Sequence, residues 1–155
     1  MTIDIPGYKK IEIKNLLCDF NGTIANNGEL IYDMDLLINK LSKSIKIYVI
    51  TADTFDTVEN QLKHLNCEII KISSENQSEQ KLAILKELNP LNTVAFGNGR
   101  NDQLMLKEAI VGVGILENEG ICTSTLINAD IICKNIHNAF ELLLTPKKLI
   151  ATLRN

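Results

Sequence analysis

Tryptophan is absent, proline occurs three times, and the aromatic side chains amount to four Phe and three Tyr in 155 residues. So few rings leave little for bases to stack on. Lys plus Arg number 16 against 19 Asp plus Glu, so the basic excess that nucleic-acid binding uses is missing too. The formal charge of −3 gives no reason to expect a strongly acidic partner. No apolar run is long enough to cross a bilayer, and Met1-Thr2-Ile3-Asp4-Ile5-Pro6 has neither the positive start nor the apolar stretch of a secretion signal. A cytoplasmic protein with no membrane contact is expected. Cys18, Cys67, Cys122 and Cys133 lack the paired spacing of a zinc or redox motif, and their apolar neighbours suggest reduced, mostly buried thiols.

What is present is ordinary globular material, 45% apolar and 23% charged, which excludes disorder and collagen-like structure. The length suits one domain over residues 1–155, with no repeat, low-complexity segment or linker to divide it. Short β-rich runs are predicted from Glu12 to Phe20, Lys46 to Thr51, Glu68 to Ile72, Thr93 to Gly97, Val111 to Ile115 and Ala129 to Cys133. Between and after them, helical spacing runs from Met34 to Leu41, Thr54 to Leu65, Ser78 to Leu88, Asn101 to Ala109, Ile121 to Ile127 and Ile136 to Leu144. This βα alternation predicts an α/β fold, a Rossmann-like parallel sheet with helices on both faces, because parallel strands need crossover connections and bury both sides.

Local chemistry sets the boundaries. Asn89-Pro90 ends the third helix, Asp53 or Thr54 caps the second, and Ser78 caps the third. Residues Ile3 to Ile13 alternate apolar and polar around Pro6-Gly7, which predicts an N-terminal β-hairpin added to the sheet edge. Asn27-Gly28 sits between two β-prone arms, Thr23 to Ile31, and predicts a small hairpin overhanging the end of the first long strand. The tail from Thr145 to Asn155 reads as a solvated final helical turn.

In open α/β sheets ligands bind at the carboxyl ends of strands. Three strand exits carry polar residues: Asp19-Phe20-Asn21-Gly22-Thr23, Thr51-Ala52-Asp53 and Gly97-Asn98-Gly99-Arg100-Asn101-Asp102; Lys81 opens the helix between the second and third. A carboxylate, a hydroxyl, a cation and a second carboxylate, with glycines that let backbone amides approach an anion, are the parts of a phosphoryl-transfer centre. Asp19 is placed to attack phosphorus, while Mg²⁺, Lys81 and backbone amides stabilise charge on the transferring oxygens.

These residues, in this order, resemble the haloacid dehalogenase (HAD) superfamily, and within it the soluble P-type-ATPase-like group. The resemblance implies a three-layer fold over nearly the whole chain and a Mg²⁺-dependent phosphatase acting through an aspartyl phosphate. It assigns Asp19 as nucleophile, Thr51 as the second-motif hydroxyl and Lys81 as the third-motif cation, with Asn21 in the catalytic set. Phosphate contacts fall to Thr51, Ala52, Lys81 and Asn101, and the metal side to Asp19, the Asn21 carbonyl, Asn98 and Asp102.

Two asparagines depart from the pattern. Asn21 stands where many members carry the Asp that acts as general acid and base, and Asn98 where they carry a metal-binding Asp. An amide cannot protonate a leaving alkoxide, so alkyl phosphomonoesters are expected to react slowly, by about 10²–10⁴-fold. Metal binding is expected to persist more weakly, since losing one charge removes about 4 kcal/mol or less of attraction near the surface. No interval between motifs is long enough for a cap domain. The open site therefore favours a large phosphorylated substrate or a neighbouring subunit, making a homo-oligomer one expectation. The alternative reading is a non-catalytic phospho-ligand-binding or regulatory module that retains the site.

Overall fold

The computed structural model describes residues 1–52 and 57–155; the caps expected at Asp53 or Thr54 lie outside the described residues. Along the chain, β1 (Thr2–Ile5) and β2 (Lys9–Glu12) form a hairpin, β3 (Asn15–Asp19) follows, and β4 (Ala25–Asn26) and β5 (Glu29–Leu30) make a smaller hairpin before α1 (Met34–Leu41). Next come β6 (Lys46–Thr51), α2 (Thr57–Leu62), β7 (Glu68–Lys71), α3 (Gln77–Glu87) and β8 (Thr93–Gly97). A 3₁₀ turn (Arg100–Asp102) leads into α4 (Gln103–Glu108), and the chain finishes with β9 (Val111–Ile115), α5 (Thr123–Asn128), β10 (Ile131–Cys133), α6 (Ile136–Leu144) and α7 (Pro146–Leu153).

Six strands form one sheet in the order β10-β9-β8-β3-β6-β7, every neighbouring pair parallel. The central strands β8 and β9 are buried at every position, and the edge strands β7 and β10 are not. That is the signature of a parallel sheet covered on both faces. Alternation along β3 divides the core. Leu16 and Cys18 join the larger cluster, which includes Met34, Ile38, Phe96 and Phe140. Leu17 joins a second cluster with Tyr48, Leu85, Ala95, Met105 and Leu106, on the side of α3 and α4. The result is the three-layer, HAD-like fold. From β3 the chain builds β6 and β7 to one side, then returns to build β8, β9 and β10 on the other. The reversal lies between β3 and β8, where such sheets open a crevice at the carboxyl ends.

Three expectations change. The run from Glu12 to Phe20 splits at Ile13-Lys14, and the N-terminal hairpin is a separate two-stranded sheet, not an added edge. Its link to β3 is only two residues long, and β3 is central, so the hairpin cannot reach an edge. It sits instead at the amino end of the sheet, where Lys9 Nζ donates to the Ile110 carbonyl and Asn92 Nδ2 to that of Glu12. The tail is not a solvated turn: α7 packs on β1 and buries Leu149 completely. Helix α3 begins at Gln77 behind a left-handed Asn76, so Ser78 is not its cap. Cys18 and Cys133 are buried while Cys67 and Cys122 are half-buried, and all four are free thiols.

The second hairpin forms as its turn residues dictate. Asn27 and Gly28 both take positive φ, 50° and 80°, the conformation of a tight two-residue hairpin turn. Gln61 of α2 ties it down, accepting the Leu30 amide and donating to the Gly28 carbonyl at 2.7 Å each. Among the described residues no cap domain lies between the motifs, and no helix is long and apolar enough to cross a membrane.

Candidate active site

Asp19 is the last residue of β3 and shares the face of Leu17, because side chains alternate along a strand. On α3, Lys81 and Leu85 are the two buried residues, four apart and therefore on one side of the helix. Leu85 enters the same cluster as Leu17, and this brings Lys81, only 1% exposed, over the carboxyl end of β3. Its Nζ lies 2.6 Å from Asp19 Oδ1 and 2.6 Å from Asp102 Oδ1.

Asp102 is fully buried. Its Oδ2 accepts the amides of Asn98 and Gly99 at 2.9 and 2.8 Å, closing the turn that follows β8. A side chain at Gly97 would collide with it, since a Cβ there would stand 2.5 Å from the Asp102 Cγ. Both Asp102 oxygens are thus engaged by Lys81 and loop backbone. The residue supports the lysine from behind.

The remaining motif residues converge. Asp19, Asn21, Thr51, Ala52, Lys81, Asn98 and Asn101 all line one cavity of about 450 Å³ at the sheet's carboxyl ends. Gly99 of the third exit shares its wall, as do Gln77 and Glu119, which were not anticipated. Gln77 accepts from Asn101 Nδ2, tying the start of α3 to the third motif. Thr23, also unanticipated as a site residue, is fully buried four residues after Asp19. A larger hollow of about 790 Å³ opens at the other end of the sheet, bounded by Ile13, Lys14, Ser44 and Lys46; none of the motif residues reaches it.

Two carboxylates share one ammonium here, and the electrostatics follow from that. Burial, followed by the neighbouring Asp102 carboxylate, pushes the Asp19 carboxyl up to about 7, against the pull of Lys81 and the Thr23 hydroxyl. For Lys81 burial opposes the charged form, but the two carboxylates outweigh it and hold the ammonium above its usual range. Burial and the Asp19 charge raise the Cys18 thiol, which packs as a small apolar group. The centre holds one more carboxylate than cation.

Its donors suit a hard cation. The Thr23 hydroxyl lies 3.3 Å from both Asp19 Oδ2 and Asn98 Oδ1, and its single hydrogen can serve only one of them at a time. Asn98 Nδ2 is turned away to the Gly120 carbonyl at 3.0 Å, which leaves its oxygen on the Asp19 side. Asp19 Oδ2 and Asn98 Oδ1 thus converge, and oxygen is the ligand type that Mg²⁺ takes. Among the described residues no three His, Cys, Asp or Glu side chains gather as a metal cluster, so any such site uses amide or backbone oxygen as well.

No family model matches the chain. An uncharacterised protein of Methanocaldococcus jannaschii, MJ0073, is 37% identical over 93 residues, which span 56% of this chain and all of that protein. Among solved structures, a Moraxella catarrhalis 3-deoxy-D-manno-octulosonate 8-phosphate phosphatase with magnesium, phosphate and its sugar aligns with a TM-score of 0.72 and 20% identity, over 92% of this chain and 94% of that one. The cobalt-bound Haemophilus influenzae phosphatase of the same name gives 0.72 at 10% identity, over 93% and 94%. A Legionella pneumophila protein assigned to HAD subfamily III A gives 0.70 at 18%, over 90% and 86%. The chain thus belongs to one family with the M. jannaschii protein, and its fold is that of the haloacid dehalogenase superfamily phosphatases.

Proposed function

We propose that the chain is a Mg²⁺-dependent phosphohydrolase in which Asp19 is phosphorylated during turnover. The observation that carries the reading is the placement of Lys81, 2.6 Å from Asp19 and 2.6 Å from Asp102 at the point where the sheet reverses direction. In this reading Asp19 attacks phosphorus in line with the leaving oxygen. The P–O bond to the leaving group breaks and an aspartyl phosphate forms. Water then attacks phosphorus, releasing inorganic phosphate and the free carboxylate. Lys81 holds the carboxylate in position and shields the charge of the phosphoryl oxygens, while Thr51 and the amides around Ala52 and Asn101 bind that group. Asp19, the Asn21 carbonyl and Asn98 would hold Mg²⁺, which when bound polarises the phosphoryl oxygens and neutralises their charge.

Asn21 sets the substrate class. It can neither protonate a leaving alkoxide nor take the proton from attacking water, so leaving groups that depart as stable anions are favoured and the phosphoenzyme lasts longer. Acyl phosphates, phosphoanhydrides and activated aryl phosphates meet that requirement. The sugar phosphate of the Moraxella enzyme is a weaker expectation, because only the fold is shared at 20% identity. The neutral amides at 21 and 98 favour the second reading, a phospho-ligand-binding module without turnover.

Incubating the protein with Mg²⁺ and a panel of phosphate donors, then measuring intact mass after an acid quench, separates the two. The phosphohydrolase reading expects one added phosphoryl group that vanishes in Asp19→Asn. Label retained in that variant overturns the nucleophile assignment. Donor binding without label or phosphate release supports the binding module.

A further inference from the structure

The loop after β9 brings a carboxylate to the wall of the cavity where Asn98 leaves the chain short of charge. Glu119 lines the cavity with Asp19 and Asn98. Its Oε2 lies 2.7 Å from the point that a Cβ on residue 22 would occupy, and Asn98 Oδ1 lies 2.9 Å from that same point. Gly22 has φ of +76°, so its missing side chain serves the turn and also opens a notch into which both oxygens reach.

The same loop fixes the amide. Gly120 accepts from Asn98 Nδ2 at 3.0 Å, and the Cys122 amide donates to the Asn98 carbonyl at 2.9 Å. Residues 119–122 thus orient Asn98 and present Glu119 together. Glu117 is committed elsewhere, accepting the Ile136 amide at the start of α6. Glu119 is exposed and pairs with no cation among the described residues.

We infer that Glu119 is the anionic partner of Asn98 in divalent-cation binding, supplying the negative charge that the amide at position 98 lacks. The inference rests on the phosphohydrolase reading, which requires a hard cation beside Asp19. Two buried carboxylates against one ammonium leave a single net negative charge in the centre. Glu119 raises it to two, the complement of a divalent ion. Mg²⁺ and Mn²⁺ both prefer carboxylate to amide oxygen, so the loop carboxylate stands in for the charge the motif has lost.

Mn²⁺ titrated into the full chain at mildly alkaline pH, with free ion read by electron paramagnetic resonance, tests this without reference to turnover. The wild type is expected to show one saturable site and Glu119→Gln an affinity at least ~10-fold lower. Glu87→Gln, at the far end of α3, is expected to bind as the wild type does. The exchange variant Asn98→Asp with Glu119→Gln is expected to regain most of the lost affinity. Glu119→Gln and Glu87→Gln should share the wild type's metal-free melting midpoint to within a few degrees, since both side chains are exposed. Wild-type affinity in Glu119→Gln, or no recovery in the exchange variant, overturns the inference and leaves the phosphohydrolase reading standing. A wild type with no saturable site overturns both.

Discussion

The Nζ of Lys81 lies 2.6 Å from Oδ1 of Asp102 in a contact that solvent scarcely reaches, the two side chains being 2% and 0% exposed. Removing one member of such a pair leaves an uncompensated charge in the interior. Lys81→Met is worse than usual, because it strands Asp19 and Asp102 together. The expected loss is on the order of 3–5 kcal/mol in urea denaturation at neutral pH. A variant as stable as the wild type would show that the buried ion pairs of Lys81 make no net contribution to stability.

The pH dependence of the metal-free protein has a defined sign. In the unfolded chain Asp19 titrates near 3.8, and in the fold near 7, so folding takes up a proton between those values. The stability this group contributes is fully present below its unfolded pKa, declines as pH rises through the window and is gone above about 7. In the presence of a chelator, the wild-type melting midpoint should fall relative to that of Asp19→Asn as pH is raised from about 4 to about 8. Parallel curves for the two proteins would rule out the raised pKa.

Asn21→Asp combined with Asn98→Asp restores both carboxylates. If turnover is limited by the missing acid and base, hydrolysis of an activated aryl phosphate should rise by ~10²–10⁴-fold. An unchanged rate, with Asp19 still taking label, would place the limiting step elsewhere.

Strand positions and motif exits were legible in the sequence because β3, β6, β8 and β9 are buried on both faces, which makes them short apolar runs that end abruptly in polar residues. The meeting of Asp19 with Lys81 could be anticipated from motif order, but its geometry depends on Leu85 seating α3 against Leu17. Glu119 gave no signal: Leu116-Glu117-Asn118-Glu119-Gly120 reads as any solvated loop, and only the closeness of Gly22 and Asn98 in space distinguishes it. The hold of Asp102 on the Asn98 and Gly99 amides was not legible, because spacing does not reveal which backbone groups a carboxylate meets. The N-terminal hairpin was mislocated because alternation reports which face is buried, not what buries it.

Gly22→Ala should act on the site directly. At φ +76° a side chain is strained, and its Cβ would stand 2.5 Å from Asn98 Nδ2 and 2.7 Å from Glu119 Oε2. A cost of about 1–3 kcal/mol in denaturation is expected. Mn²⁺ affinity should drop with it, and a variant with full affinity would show that the notch plays no part in holding the ion.

Docking of α7 rests largely on Leu149, which is completely buried. Leu149→Ala should cost about 2–5 kcal/mol, with labelling of Asp19 unaffected at temperatures where the variant is folded. A loss near zero would show that the helix contributes little to holding β1.

Helix α3 buries only Lys81 and Leu85 of its eleven residues. Leu82 and Ile84 pack partly buried against the cluster that holds Leu85, and the charge contact that organises Asp19 adds to this attachment. Any event that changes the charge at Asp19, whether phosphorylation of the carboxylate or capture of an ion, alters one of the contacts that hold this helix. Hydrogen exchange along its amides thus becomes an indirect gauge of what occupies the carboxylate, measurable before any natural substrate is identified.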